Sequence, residues 1–90
     1  MIIQLRKFGT TLVSRPSGKE ALLAFQPTLD QVKNNETITV DFSQIITLSP
    51  SWADEFLTPI KNEFGANFIL LPSDNSSVKA SLEILEQQYK

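Results

Sequence analysis

The sequence predicts one small α/β domain, residues 1–90, with a mixed four-stranded sheet and helices mainly on one face of it. Three observations lead there. Ile38, Val40 and Phe42 alternate with Thr37, Thr39 and Asp41, the period of a strand with one face buried and one wet, which argues against helices on both sides. Apolar residues recur at helical spacing in three other stretches. The resulting order of strand, strand, helix, strand, helix, strand, helix demands right-handed crossovers among the later elements, so that portion of the sheet is parallel.

At the start, Ile3 and Leu5 alternate with Gln4 and Arg6, Lys7-Phe8-Gly9-Thr10 offers a turn, and Thr11, Leu12 and Val13 follow, which reads as a short hairpin. Ser17 and Glu20 stand at capping-box spacing, and Leu22, Phe25, Leu29 and Val32 continue at helical period, giving a helix over about 18–33. Pro27 removes one ladder bond inside it and kinks it, with the ring outward. Asn34-Asn35-Glu36 then turns the chain into the strand over 37–42. The second helix spans 50–64, with Ala53, Phe56, Leu57, Ile60 and Phe64 inward, Pro59 on a solvent-facing curve and Gly65 in the positive-φ position beyond its end. Phe68 to Leu71 form an unbroken apolar run suited to a strand shielded on both faces or lying beside a partner. Pro72 to Ser76 supply a turn and cap, and Val78, Leu82, Leu85 and Tyr89 mark a final amphipathic helix. The expected core joins Val40, Phe42, Phe56, Ile60, Phe68, Leu70, Leu82 and Leu85.

Ten acidic residues against eight basic ones, dispersed along the chain, provide no basic stripe for a phosphate backbone and no cationic face for a bilayer. No apolar run is long enough to span a membrane, and Met1-Ile2-Ile3-Gln4-Leu5-Arg6-Lys7 reverses the basic-then-apolar order of a secretory signal. The expectation is a cytoplasmic chain that binds neither nucleic acid nor membrane. Without cysteine or histidine there is no disulfide, no thiolate and no imidazole, so no catalytic residue, metal or cofactor is expected. A core of this size stabilises a domain only marginally, and docking to a protein partner would help it; the chain is expected as a monomer or weak dimer.

Function is expected where the 37–42 strand leads through a turn into Ser49-Pro50-Ser51-Trp52-Ala53-Asp54-Glu55. Ser49 caps a helix whose first position Pro50 fills without losing a hydrogen bond, and Ser51 falls in the first turn. This segment, with Val40-Asp41-Phe42-Ser43 before it, resembles the STAS domains of bacterial anti-anti-sigma factors, and more closely their STAS-like relatives. In the STAS pattern a strand and an apolar pair lead into Asp-Ser-Ser-Gly, whose second serine accepts phosphate from a partner kinase. Here Ser49 takes the aspartate position, Pro50 the first serine, Ser51 the acceptor and Trp52 the glycine, so one of the four matches. The resemblance covers the chain from Thr37 onward. It implies a sheet with helices gathered on one side, and a regulatory module in a partner-switching circuit with a histidine-kinase-like ATPase or serine kinase.

Each residue also has a plainer role. Ser49 is accounted for by capping, and Ser51 by solvation, although a phosphate there would meet the positive end of the helix. Asp54 and Glu55 complement that dipole and oppose a phosphate. Trp52, one turn before Phe56, is either a core plug or an exposed anchor. Asp41 fits the wet face of its strand, and Ser73-Asp74-Asn75-Ser76-Ser77 reads as a helix cap without the glycines of a phosphate cradle. The reading that follows is a non-catalytic interaction module with Ser51, Trp52, Asp54 and Glu55 as its partner-binding surface and Ser51 as phosphorylation candidate; Ser81, in mid-helix, is the comparison position. The alternatives are a small-ligand or nucleotide sensor using the same junction and, behind it, an enzyme, for which no nucleophile stands beside a base.

Overall fold

In the computed structural model, which describes residues 1–88, every strand pairing is parallel. In chain order the elements are β1 (Ile2–Gln4), β2 (Thr11–Leu12), α1 (Arg15–Leu29), β3 (Ile38–Asp41), β4 (Thr47–Leu48), α2 (Pro50–Phe64), β5 (Phe68–Leu70) and α3 (Ser76–Gln88). β1, β3 and β5 form a three-stranded sheet in that order, and β2 pairs with β4 in a sheet of two. The single mixed sheet of four strands is therefore replaced by two parallel sheets.

The expected hairpin is where the two architectures diverge. β1 and β2 do not pair with each other; Ile3 lies beside Val40, and Leu12 beside Leu48. Between them Leu5–Phe8 winds as a 3-10 turn that buries Leu5 and sends Phe8 into an aromatic cluster, 4.8 Å from the Phe56 ring and 5.7 Å from Phe25. Packing takes up the residues that a tight turn would have needed. Gly9, at φ 125°, then redirects the chain into β2.

α1 starts three residues before its expected position. Ser14, not Ser17, is the N-cap, accepting from the Ser17 N–H at 3.2 Å, and Pro16 sits in the first turn where its missing donor is harmless. The helix ends at Leu29 rather than Lys33, with Asp30 as its cap, so Pro27 falls in the last turn and faces solvent. α2 has the expected bounds: Ser49 accepts from the Trp52 N–H at 3.2 Å, Pro59 is exposed, and Gly65 beyond the end has φ 55°. Tyr89 of the expected final helix lies outside the described residues.

β4 is a strand the alternation did not indicate, and it is finished on its outer side by α3. Ser77 Oγ accepts from the Leu48 N–H at 3.1 Å, and Ser81 Oγ donates to the Leu48 carbonyl at 2.7 Å. Asn75 caps α3 by accepting from the Ser77 and Val78 N–H groups, while its amide donates to the carbonyls of Ile45 and Ile46.

Ile3, Ile38 and Val40 are buried on the face of the larger sheet that the helices cover, and Ile2, Thr39 and Ile69 share a row across the open face. Of the expected core, Val40, Phe42, Phe56 and Ile60 are buried, and Phe68, Leu82 and Leu85 pack half-buried at the margin. Leu70 is exposed instead, because β5 is an edge strand and is not shielded on both faces.

Candidate functional site

Both strands of the smaller sheet feed directly into helices, β2 into α1 and β4 into α2, so the two helix starts lie side by side. Ser49 links them: besides capping α2, its hydroxyl donates to the Val13 carbonyl at 2.8 Å. Gly18 of α1 rests on the Trp52 backbone and the Glu55 side chain, an approach that a side chain at position 18 would block.

Ser51 lies half-buried in the first turn of α2, and among the described residues its hydroxyl has no hydrogen-bond partner. Asp54 and Glu55 follow in the second turn, not the first, three and four positions after Ser51 and hence on its side of the helix. From there they act mainly on Arg15, at the start of α1. One guanidinium nitrogen, Nη1, donates to Asp54 Oδ2 and Glu55 Oε1 at 3.0 Å each. Thr58 Oγ1 donates to the other Asp54 oxygen at 3.0 Å. The Arg15 pKa is raised, first by the hydrogen bond to Asp54 and then by that to Glu55, so its charge is permanent. Half of the Arg15 side chain faces water, so the bridge orients the two helix starts more than it stabilises them.

Trp52 does not belong to this surface. Its side chain is wholly buried, stacked on Phe56 at a centroid distance of 5.0 Å, and its Nε1 donates to Ser17 Oγ at 3.3 Å. It is the plug beneath the site, and the side chains above it are the half-buried Ser51, Asp54 and Glu55 and the exposed Arg15. Nothing local in the sequence marks Arg15, because its partners stand on another helix.

Asp41, at the end of β3, holds a turn. It accepts from the Ser43 N–H at 2.9 Å, and Arg6 approaches it at 3.8 Å while donating to Ser43 Oγ at 2.8 Å. These contacts depress its pKa, the Ser43 backbone bond most, then the Ser43 hydroxyl, then the Arg6 charge. The Ser73–Ser77 segment serves as the cap and brace of α3 already described. Ser81 is buried and spent on Leu48, which makes it unsuitable as a neutral comparison position. Its place was readable: Ser81 stands three positions after Val78 and four before Leu85, on the apolar stripe of α3.

Chemically, the arrangement presents a free hydroxyl over a helix start whose neighbouring carboxylates are already engaged by an arginine. Among the described residues no helix is long and apolar enough to cross a membrane. No curated protein and no solved structure matches the chain. A family model described as a STAS-like domain of unknown function (DUF4325) matches residues 25–76, from within α1 through β3, β4, α2 and β5 to the start of α3. That match takes in more than half of the chain and the whole of α2, and the chain belongs to this STAS-like family.

Proposed function

We propose that this STAS-like domain is a non-catalytic regulatory module, recognised at the start of α2 by a histidine-kinase-like ATPase or a serine kinase in a partner-switching circuit, with Ser51 as the phospho-acceptor. The observation that carries the reading is the bridge from Arg15 to Asp54 and Glu55 beside an unengaged Ser51 hydroxyl. The two carboxylates would oppose a phosphate at Ser51 if they stood alone; paired with a guanidinium they oppose it far less, and the helix start favours it. The contact surface is Ser51, Asp54, Glu55 and Arg15, with Trp52 holding it from below. A bacterial, cytoplasmic setting belongs to the same proposal, as does the absence of turnover by the isolated domain.

The test uses a purified histidine-kinase-like ATPase as the candidate partner. Its affinity is measured for wild type, Ser51→Glu and Ser76→Glu, the last adding the same charge at the exposed start of α3. The expected result is a change in affinity confined to Ser51→Glu, together with phosphate at Ser51 by mass spectrometry after incubation with ATP. Equal affinities for all three, with no label at Ser51, would remove Ser51 as a switch.

A further inference from the structure

Arg15 and Ser51 each follow closely on the same hydrogen bond, that of the Ser49 hydroxyl with the Val13 carbonyl, which brings both to the level where α1 and α2 begin side by side. The carboxylates that Arg15 grips belong to the next turn of α2, and each stands about 5–6 Å from Ser51 at Cβ. Both contacts use Nη1. The N–H groups on Nη2 and Nε have no partner among the described residues. The helix start itself has little left to give. Pro50 has no N–H, the Trp52 N–H is accepted by Ser49 Oγ, and the Ala53 N–H by the Ser49 carbonyl, so in the first turn the N–H of Ser51 is what remains. A phosphate on Ser51 therefore meets the field of the helix but few of its donors.

We propose that Arg15 is the receptor for a phosphate on Ser51, turning the free edge of its guanidinium onto the phosphate oxygens; this rests on the reading of Ser51 as the acceptor. A phosphoserine carries about −1.5 to −2 charge, more than either carboxylate, and the planar fork of an arginine meets phosphate oxygens with paired, charge-assisted bonds. Asp54 and Glu55 pull the other way on the phosphate, so Arg15 is the group that makes the dianion tolerable there. The next cation along α1 is Lys19, which is exposed and makes no ion pair among the described residues. It stands beyond Gly18, where the two backbones touch, whereas Arg15 stands at the helix starts.

The modification then alters the contact surface in two ways. It adds negative charge at Ser51, and it occupies the cation that the unmodified surface offers between its two carboxylates. A partner that sets an oxygen acceptor against Arg15 loses that contact when the phosphate takes it.

Phosphoserine placed at position 51 during translation needs no kinase, so the test does not depend on a partner to make it. Protonation of the phosphate is followed by phosphorus NMR across its titration, near pH 6. With Arg15→Gln the dianion is expected to take up a proton about tenfold more readily than in wild type, the effect of losing an opposite charge at contact. Lys19→Gln should change it less than about twofold, and Arg15→Lys, which keeps the charge without the fork, should fall between wild type and Arg15→Gln. Circular dichroism checks that each variant is folded. Arg15→Gln within about twofold of wild type, Lys19→Gln as effective as Arg15→Gln, or Arg15→Lys equal to wild type would each overturn the proposal. Label at Ser51 from the ATPase without these differences sinks the receptor and leaves the functional reading standing; the differences without label do the reverse.

Discussion

Gly18 and Trp52 meet backbone to backbone: a β-carbon at position 18 would stand 2.7 Å from the Trp52 carbonyl oxygen and 3.1 Å from its Cα. In an isolated helix, Gly18→Ala would gain up to about 1 kcal/mol from propensity. Here the clash is with main chain, which cannot step aside as a flexible side chain can. Gly18→Ala is expected to lower stability by about 1–3 kcal/mol through the separation of α1 from α2. Urea denaturation followed by the fluorescence of the single tryptophan measures it; an unchanged or higher midpoint would show the helices free to part.

Phe56 is the centre of the aromatic cluster, within 4.8 Å of Phe8, 5.0 Å of Trp52 and 6.0 Å of Phe25, ring to ring, and it has no exposed surface. Removing it to alanine should cost about 3–5 kcal/mol, a large part of what holds a domain of this size together. Phe56→Ala is expected to be unfolded or close to it at room temperature by circular dichroism. A native spectrum with an unchanged midpoint would contradict the packing.

Asp41 makes stability depend on acid. Its folded pKa lies below the ordinary 3.8, because the Ser43 N–H, the Ser43 hydroxyl and Arg6 favour the charged form. A depressed carboxylate contributes stability that is fully present above the unfolded pKa and is lost as pH falls through the folded one. Asp41→Asn should therefore be less stable than wild type at neutral pH, with the difference closing below pH 3.8. Denaturation midpoints of the two proteins at pH 7 and near pH 2.5 check this; a gap that stays constant would mean that the charge of Asp41 has no part in the turn.

What could be read in the sequence was what is encoded within one turn or one strand. Ser49-Pro50 marks the start of α2 and Gly65 its end, and the alternation through Val40 marks β3, because capping, ring geometry and period all act locally. The start of α1 is ambiguous in the sequence because Ser14 and Ser17 are both capable caps, and the nearer Pro16 decides for Ser14. The hairpin failed for a different reason. Ile3 and Leu12 carry no signal of which strand they join, and their partners Val40 and Leu48 are far along the chain. At the site, Ser51, Asp54 and Glu55 were legible as a helix start, whereas Arg15 and the burial of Trp52 depend on how two helices meet.

The all-parallel pairing also sets the order in which this chain can acquire its structure. Ile2 waits for Thr39, Thr11 for Thr47, and Ile38 for Phe68, and among the described residues no strand pairs with its neighbour in sequence. Every ladder closes a long loop before it is rewarded, so folding should be slower than for a helical bundle of equal length, with α1 and α2 formed early as local structure. β3, central in the larger sheet, is the strand on which both others assemble. During synthesis β1 has emerged long before it has a partner, and the apolar run of β5 arrives last, onto a sheet already in place.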